Sequence, residues 1–165
     1  MRSGPCIIGF DGSPASERAL REGAALLAPR KALVVVVWEA GLAFRFLEVP
    51  APDPDLGLAP IDTHTARELD QAVHEGAQQL ARQGADLARE LGFDAEALPV
   101  ADELTVAGTL VRIARERDAR VLVVGAHGHT VIGELLLGST SRAVVRHAPC
   151  PVLVVRDPNG AGPGD

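Results

Sequence analysis

The sequence predicts a doubly wound α/β domain: a five-stranded parallel sheet in the order 3-2-1-4-5, with helices on both faces. Short runs of Val, Ile and Leu alternate with longer amphipathic segments along the 165 residues, a pattern typical of parallel strands joined by helices. Hydrophobic residues make up 47% of the chain and aromatics only 3%, which suits buried aliphatic strands under Ala-rich helices. Right-handed crossovers then leave few strand orders.

Each element has its own signal. Apolar runs predict strands at about 6–10, 32–38, 93–100, 121–124 and 152–155, and Pro99 suits an edge strand. Helical spacing predicts a first helix that Ser13 or Ser16 caps and that ends at Pro29 and Arg30. A second helix is expected from about Asp62 to Leu91 and a third from about Thr105 to Arg117. A fourth follows Gly138.

The same spacing predicts the buried side of each helix. In the first helix these positions are Ala19, Leu20, Gly23, Ala24 and Leu27; in the second, Leu69, Val73, Ala77, Leu80, Leu87, Ala88 and Leu91; in the third, Val106, Leu110, Ile113 and Ala114. Gly84 falls on the second stripe, where it lets a neighbour pack closely.

One domain is expected over residues 1–156, with a flexible tail at 157–165. Residues 40–64 contain Pro50, Pro52, Pro54 and Pro60, which exclude a regular element there. A loop of this length is either a surface excursion or a lid beside a site. The sequence does not distinguish these two alternatives.

Composition excludes several classes of protein. The formal charge is −6 and no basic run occurs, which argues against a nucleic-acid surface. Lys31 is the only lysine, so a P-loop lysine is excluded. Cys6 and Cys150 are too few for a zinc module and are expected to be buried free thiols. We expect no signal peptide, no membrane span and a cytoplasmic location.

The stretch after the fourth strand predicts a ligand site. Gly125, Gly128 and Gly138 are followed by Ser139, Thr140 and Ser141. Glycines at the end of a strand let backbone N–H groups approach a ligand, and the hydroxyl cluster is expected to cap a helix whose first N–H groups bind an anion. Together these features predict a phosphate-binding loop. The alternative is an ordinary turn followed by a Ser N-cap.

The predicted topology points to the same place. In the order 3-2-1-4-5 the switch point lies between the first and fourth strands, where ligands of open α/β sheets bind. The residues at these strand ends are Gly9, Phe10 and Asp11 on one side and Gly125 to Gly128 on the other. Asp11 has two interpretations: it contacts a ligand, or it caps the first helix or stabilises the turn before it.

The histidines have simpler interpretations. His127 and His129 form a His-x-His pair in the loop, which raises the hypothesis of a metal site. No third ligand lies nearby in sequence, so solvent-facing side chains are the favoured interpretation and no metal site is predicted. His147 suits the C-terminus of the last helix.

Three stretches resemble the universal stress protein family in its ATP-binding branch: IIGFDGSPAS, VVVVWE and GAHGHTVIGELLLGSTSRAVVRHAPCPVLVV. The last contains Gly-x2-Gly-x9-Gly-Ser. The resemblance covers residues 4–156 apart from the segment 40–64. It implies an adenine nucleotide alpha hydrolase-like fold and bound ATP with Mg²⁺.

The resemblance also implies residue roles. Asp11 would contact the ribose or the adenine edge, with Gly9 and Phe10 lining the pocket and Val37 against the adenine. The loop residues Gly125, Ala126, His127 and Gly128 would lie at the ribose and α-phosphate, and Gly138, Ser139 and Thr140 would bind the outer phosphates. Phe10 is bulkier than is usual there and is expected to narrow the pocket. Arg142 and Mg²⁺ are the nearby candidates for neutralising phosphate charge.

For function, the resemblance implies a nucleotide-dependent stress-response regulator that forms a homodimer through the last strand, Pro151 to Arg156, and acts on a further protein. The alternative is an interaction module of the same fold that binds no nucleotide. The chain has no Walker lysine and no Gly-x-Ser-x-Gly elbow, so at most slow ATP hydrolysis is expected.

Overall fold

Five parallel strands form one sheet in the order β3-β2-β1-β4-β5, which confirms the predicted topology. The computed structural model describes residues 3–28, 30–41, 62–102, 105–126 and 137–156. The strands are β1 (Cys6–Gly9), β2 (Lys31–Trp38), β3 (Asp94–Ala101), β4 (Val121–Gly125) and β5 (Val152–Val155). Pro99 lies in the edge strand β3, as predicted.

Four helices connect the described strands: α1 (Pro14–Leu27), α2 (Thr63–Glu90), α3 (Val106–Glu116) and α4 (Ser139–His147). The first three have side-chain N-caps. Ser13, Asp62 and Thr105 each accept a hydrogen bond from a backbone N–H of the first turn, which satisfies one donor that the helix itself leaves unpaired. His147 ends α4, as predicted.

Two apolar layers enclose the sheet, because successive side chains of a strand point to opposite faces. Ile8 and Val34 face the layer under α1 and α2. Ile7 and Val35 face the layer under α3 and α4. The site described below lies on the second of these faces.

The predicted buried stripe of α2 is partly wrong. Ala77 and Ala88 are buried as expected, but Leu69 and Val73 are about half exposed. The 28-residue helix is about 42 Å long, whereas the eight-residue strands β2 and β3 span about 26 Å. The first turns of α2 therefore extend beyond the sheet.

Gly84 does let a neighbour pack closely. A Cβ built on it would lie 2.8 Å from Phe10 Cδ1 and 2.8 Å from Val34 Cγ1. The absence of a side chain at this position brings α2 down onto the end of β1 and onto β2.

Neither cysteine forms a disulfide: Cys6 is buried and Cys150 is half-buried. In the described part of the chain no helix is long and apolar enough to cross a membrane. The segment 42–61, which makes up most of the Pro-rich stretch, and the predicted tail lie outside the described residues.

Candidate functional site

A cavity of about 400 Å³ opens at the carboxyl edge of the sheet, between the ends of β1 and β4. This is where the strand order reverses and where open α/β sheets bind ligands. Its volume is in the range of small-molecule sites. The described residues that line it are Gly9, Phe10, Asp11, Val35, Val37, Val106, Leu110, Val124, Gly125, Ala126, Gly138, Ser139, Thr140 and Ser141.

Every predicted site residue that the structure describes lies on this cavity: Gly9, Phe10, Asp11, Val37, Gly125, Ala126, Gly138, Ser139 and Thr140. Residues far apart in sequence are thus brought to one place. His127 and Gly128, and also His129, lie outside the described residues.

An apolar wall forms one side of the cavity. Val35 and Val37 come from β2, and Val106 and Leu110 come from the first turns of α3. Val106 was predicted to be core but is 41% exposed, because it faces the open cavity. Period-2 alternation from Val37 would have found Val35, and helical spacing from Val106 would have found Leu110.

The other side of the cavity is the start of α4. The prediction that a hydroxyl side chain caps this helix is wrong: Gly138 is the N-cap and no side chain makes a capping hydrogen bond. The N–H groups of Ser139, Thr140 and Ser141 come before the first intrahelical bond, which Arg142 N donates to Gly138 O. Such unpaired N–H groups, at the positive end of the helix dipole, favour an anion.

Asp11 stabilises the turn before α1, whose N-cap is Ser13, and its contact with a ligand stays a prediction. Its Oδ1 accepts a hydrogen bond of 3.0 Å from Ser13 N, and its own N–H donates to Ser16 Oγ at 3.3 Å. The carboxylate therefore stabilises the turn before α1. Asp11 also lines the cavity, within reach of a ligand.

Phe10 lies on the cavity, but its ring packs into the opposite apolar layer, so its effect on the width of the pocket stays a prediction. The ring lies in the layer under α1 and α2 and contacts the Cα region of Gly84. Phe10 is nevertheless among the residues that line the cavity, which opens on the other face of the sheet.

Gly125 has a packing role that the sequence did not reveal. A Cβ there would lie 3.0 Å from the backbone C and O atoms of Ala15. The missing side chain lets the first turn of α1 approach the end of β4. Close approach of a ligand is therefore not required to explain this glycine.

The charge around the cavity is sparse. Among the described lining residues Asp11 is the only ionisable one, and Arg142 is exposed on the first turn of α4. Within the described ranges no three His, Cys, Asp or Glu side chains cluster as a metal site would require. An apolar wall facing a helix N-terminus is suited to a flat apolar group joined to an anion.

Comparison with known proteins agrees with this architecture. The sequence profile described as "Universal stress protein family" matches residues 4–156. The chain belongs to the universal stress protein family. Universal stress protein Rv2623 of Mycobacterium tuberculosis is 31% identical over 158 residues, 95% of this chain and 49% of that protein. The chain therefore spans about half the length of this relative. A universal stress protein of Thermus aquaticus is 30% identical, over 91% of this chain and 96% of that one.

Solved structures share the universal stress protein fold. The protein MJ0577 has a TM-score of 0.73 at 22% identity, covering 96% of this chain and 99% of that one. A universal stress protein in complex with cAMP has a TM-score of 0.58 at 26% identity, covering 94% and 98%. A family member from Arabidopsis thaliana with AMP bound has a TM-score of 0.62 at 15% identity, covering 99% and 97%.

Proposed function

We propose that this universal stress protein binds ATP in the cavity between β1 and β4, and that it acts as a nucleotide-dependent regulator in the stress response. The observation that carries the proposal is the start of α4. Its N–H groups lack a side-chain cap and lie on a cavity whose opposite wall is apolar. The 26% identical family member in complex with cAMP supports an adenine nucleotide as the class of ligand.

The residues on the cavity fit the parts of this ligand. The wall of Val35, Val37 and Leu110 is suited to the flat apolar faces of adenine. Asp11 is an acceptor for a ribose hydroxyl. Ser139 and Thr140 supply N–H and hydroxyl donors for phosphate oxygens.

Bound Mg²⁺ is part of the proposal because the triphosphate carries more negative charge than one helix N-terminus offsets. Mg²⁺ in nucleotide sites takes phosphate oxygens and waters and few protein ligands, so the sparse set of carboxylates here is compatible with it. Among the described residues, Arg142 on the first turn of α4 is the cation that we propose assists. We propose ligand binding, with at most slow hydrolysis, as the activity, because Asp11 already accepts a hydrogen bond from Ser13 and is poorly placed to act as a dedicated base.

The experiment is direct. Freshly purified protein is denatured and the released nucleotides are separated by chromatography, and stripped protein is then titrated with ATP in the presence and absence of Mg²⁺. Near-stoichiometric release of ATP or ADP, or saturable binding, is expected. No release together with a flat titration would exclude the proposal.

The alternative is an interaction module of the same fold that binds no nucleotide. One observation favours it: the contact between Gly125 and Ala15 explains a motif glycine by packing alone. A flat titration with a folded protein would select this alternative.

We also propose that the protein forms a homodimer through β5. Among the described strands β5 pairs only with β4, and Val152, Leu153 and Val154 are only half-buried. An apolar edge strand invites pairing, and a two-fold mate would cover both edges. We further propose that the protein acts on a downstream protein partner and that it is located in the cytoplasm.

A further inference from the structure

The carbonyl of Ala126 accepts two hydrogen bonds from the start of α4. Gly138 N donates to it at 2.8 Å, and Ser141 Oγ donates to it at 2.9 Å. The N–H of Ala126 donates to Val155 O at 2.8 Å. Ala126 is therefore bound on one side to β5 and on the other to the first turn of α4.

Ser141 is built into this junction. It is 2% exposed, and its hydroxyl oxygen also lies 3.0 Å from Gly138 O. A buried hydroxyl placed between two carbonyl oxygens has its single proton committed to them. The hydroxyl is thus not available as a donor to a ligand.

We infer that Ser141 is a positioning residue, whose hydroxyl places the first turn of α4 against the end of β4 while leaving the N–H groups of that turn unpaired. The other helices are fixed differently. In α1, α2 and α3 a side-chain cap consumes an N–H group of the first turn. In α4 no side chain does so, and the hydroxyl of Ser141 instead donates to the carbonyls of Ala126, the residue after β4, and of Gly138. The helix start is fixed without using the groups that an anion needs.

This inference rests on the proposed function for its consequence. Phosphate binding depends on where the first turn of α4 lies, whereas the apolar wall comes from β2 and α3. Removing the hydroxyl should therefore weaken binding of the phosphate and leave binding of the nucleoside unchanged. A hydroxyl that only contributed to stability would affect neither ligand.

The test compares Ser141→Ala with wild type, with adenosine and ATP as probes in calorimetric titrations. The variant should bind ATP roughly 5- to 30-fold more weakly, the effect of losing about one hydrogen bond that orients the site, and should bind adenosine within about twofold of wild type. Ser141→Thr, which keeps the hydroxyl, should recover most of the ATP affinity. Thr109→Val removes another buried hydroxyl, on α3, and should change neither affinity.

Equal loss of adenosine and ATP affinity, or unchanged ATP affinity in folded Ser141→Ala, would overturn the inference. Hydrogen exchange of the ligand-free protein provides a readout that does not depend on binding. Exchange of the Gly138 and Arg142 amides should be roughly fivefold or more faster in Ser141→Ala, and unchanged exchange also overturns the inference. A wild-type protein that binds no nucleotide contradicts the proposed function alone.

Discussion

The ring of Phe10 occupies the space in which a side chain at Gly84 would lie. A Cβ on Gly84 would be 2.8 Å from Phe10 Cδ1 and 3.0 Å from Phe10 Cε1, closer than real side chains approach. Phe10 follows β1 and immediately precedes Asp11 of the cavity. The contact therefore sets how closely α2 approaches the strand end that carries the site.

Gly84→Ala is expected to destabilise the protein. Alanine in a helix interior gains about 1 kcal/mol over glycine, but overpacking a buried contact costs about 1–3 kcal/mol, and here the ring of Phe10 and the side chain of Val34 both have to move. Because two side chains have to move, we expect a net loss of up to about 2 kcal/mol in the free energy of unfolding, measured by urea denaturation.

Gly76→Ala is the matched control. Gly76 lies in the same helix, and a Cβ there would meet nothing within 4 Å, so this change should stabilise by up to about 1 kcal/mol. Phe10→Leu in the Gly84→Ala background should recover part of the loss. Equal stabilisation by Gly84→Ala and Gly76→Ala would contradict the prediction, because it would mean that the Phe10 ring moves aside at no energetic cost.

The topology could be predicted because each strand is a short apolar run in the sequence and because crossover connections are right-handed. Periodicity shows which residues of a helix share a side, but not how far the sheet extends beneath them. Periodicity therefore predicts that Leu69 and Val73 are core residues. They are exposed because this part of α2 extends beyond the strands. The exposure of Val106 could not be predicted for a related reason, because the spacing of apolar residues does not show where a cavity lies.

The site could be predicted as a set of residues but not in its details. Glycine spacing and the switch point led to Gly9, Asp11 and Gly138, which do line one cavity. The alternation of β1 places the ring of Phe10 on the far face, which the motif alone did not indicate. The N-cap at Gly138 occurs together with a hydrogen bond from Ser141 Oγ to Ala126 O, and no local sequence rule predicts a contact between residues so far apart.

The buried thiol of Cys6 is expected to make the free energy of unfolding depend on pH in the alkaline range. Burial raises the pKa of this thiol above its ordinary value of 9.0, against smaller opposing effects of Arg30 and Arg120. Below the unfolded pKa the thiol is neutral in both states and contributes no pH dependence. Above it the unfolded chain loses its proton first, so stability falls as pH rises towards the folded pKa, by at most about 1.4 kcal/mol per pH unit.

The measurement is urea denaturation of wild type and Cys6→Ala between about pH 8 and about pH 10. The chain has no tyrosine and a single lysine, so few other groups titrate in this window, and subtracting the two curves removes the other thiol. The stability advantage of wild type should shrink as pH rises. Parallel curves would contradict the prediction.

Gly9→Val is expected to block nucleotide binding. A Cβ at Gly9 would lie 3.2 Å from Leu110 Cδ1 and 3.4 Å from Val124 Cγ1, so a branched side chain would displace Leu110 and fill the apolar wall. We expect at least about a tenfold loss of ATP affinity by titration, about 1.4 kcal/mol. Gly23→Ala, whose Cβ would lie 3.3 Å from Val123 Cγ1 on the other face of the sheet, should crowd the core but leave affinity unchanged. ATP affinity equal to that of wild type in folded Gly9→Val would mean that the ligand does not contact this apolar wall.

Val154→Pro is expected to weaken the proposed homodimer. Pro151 and Val155 direct their carbonyls towards β4, so the alternation of the strand places the N–H of Val154 on the open edge. Proline removes that donor without breaking the ladder to β4.

The substitution matters for association only if a second copy pairs with this edge. Val154 also packs against the layer under α3 and α4, so a charge at this position, although expected to weaken the dimer, would disturb the core as well. Val154→Ala is therefore the control: it loses the same packing but keeps the N–H. Sedimentation should give a lower dimer fraction for Val154→Pro than for Val154→Ala at equal concentration. Identical sedimentation of the two variants would mean that β5 is not the dimer edge, since proline removes the outward N–H that alanine keeps.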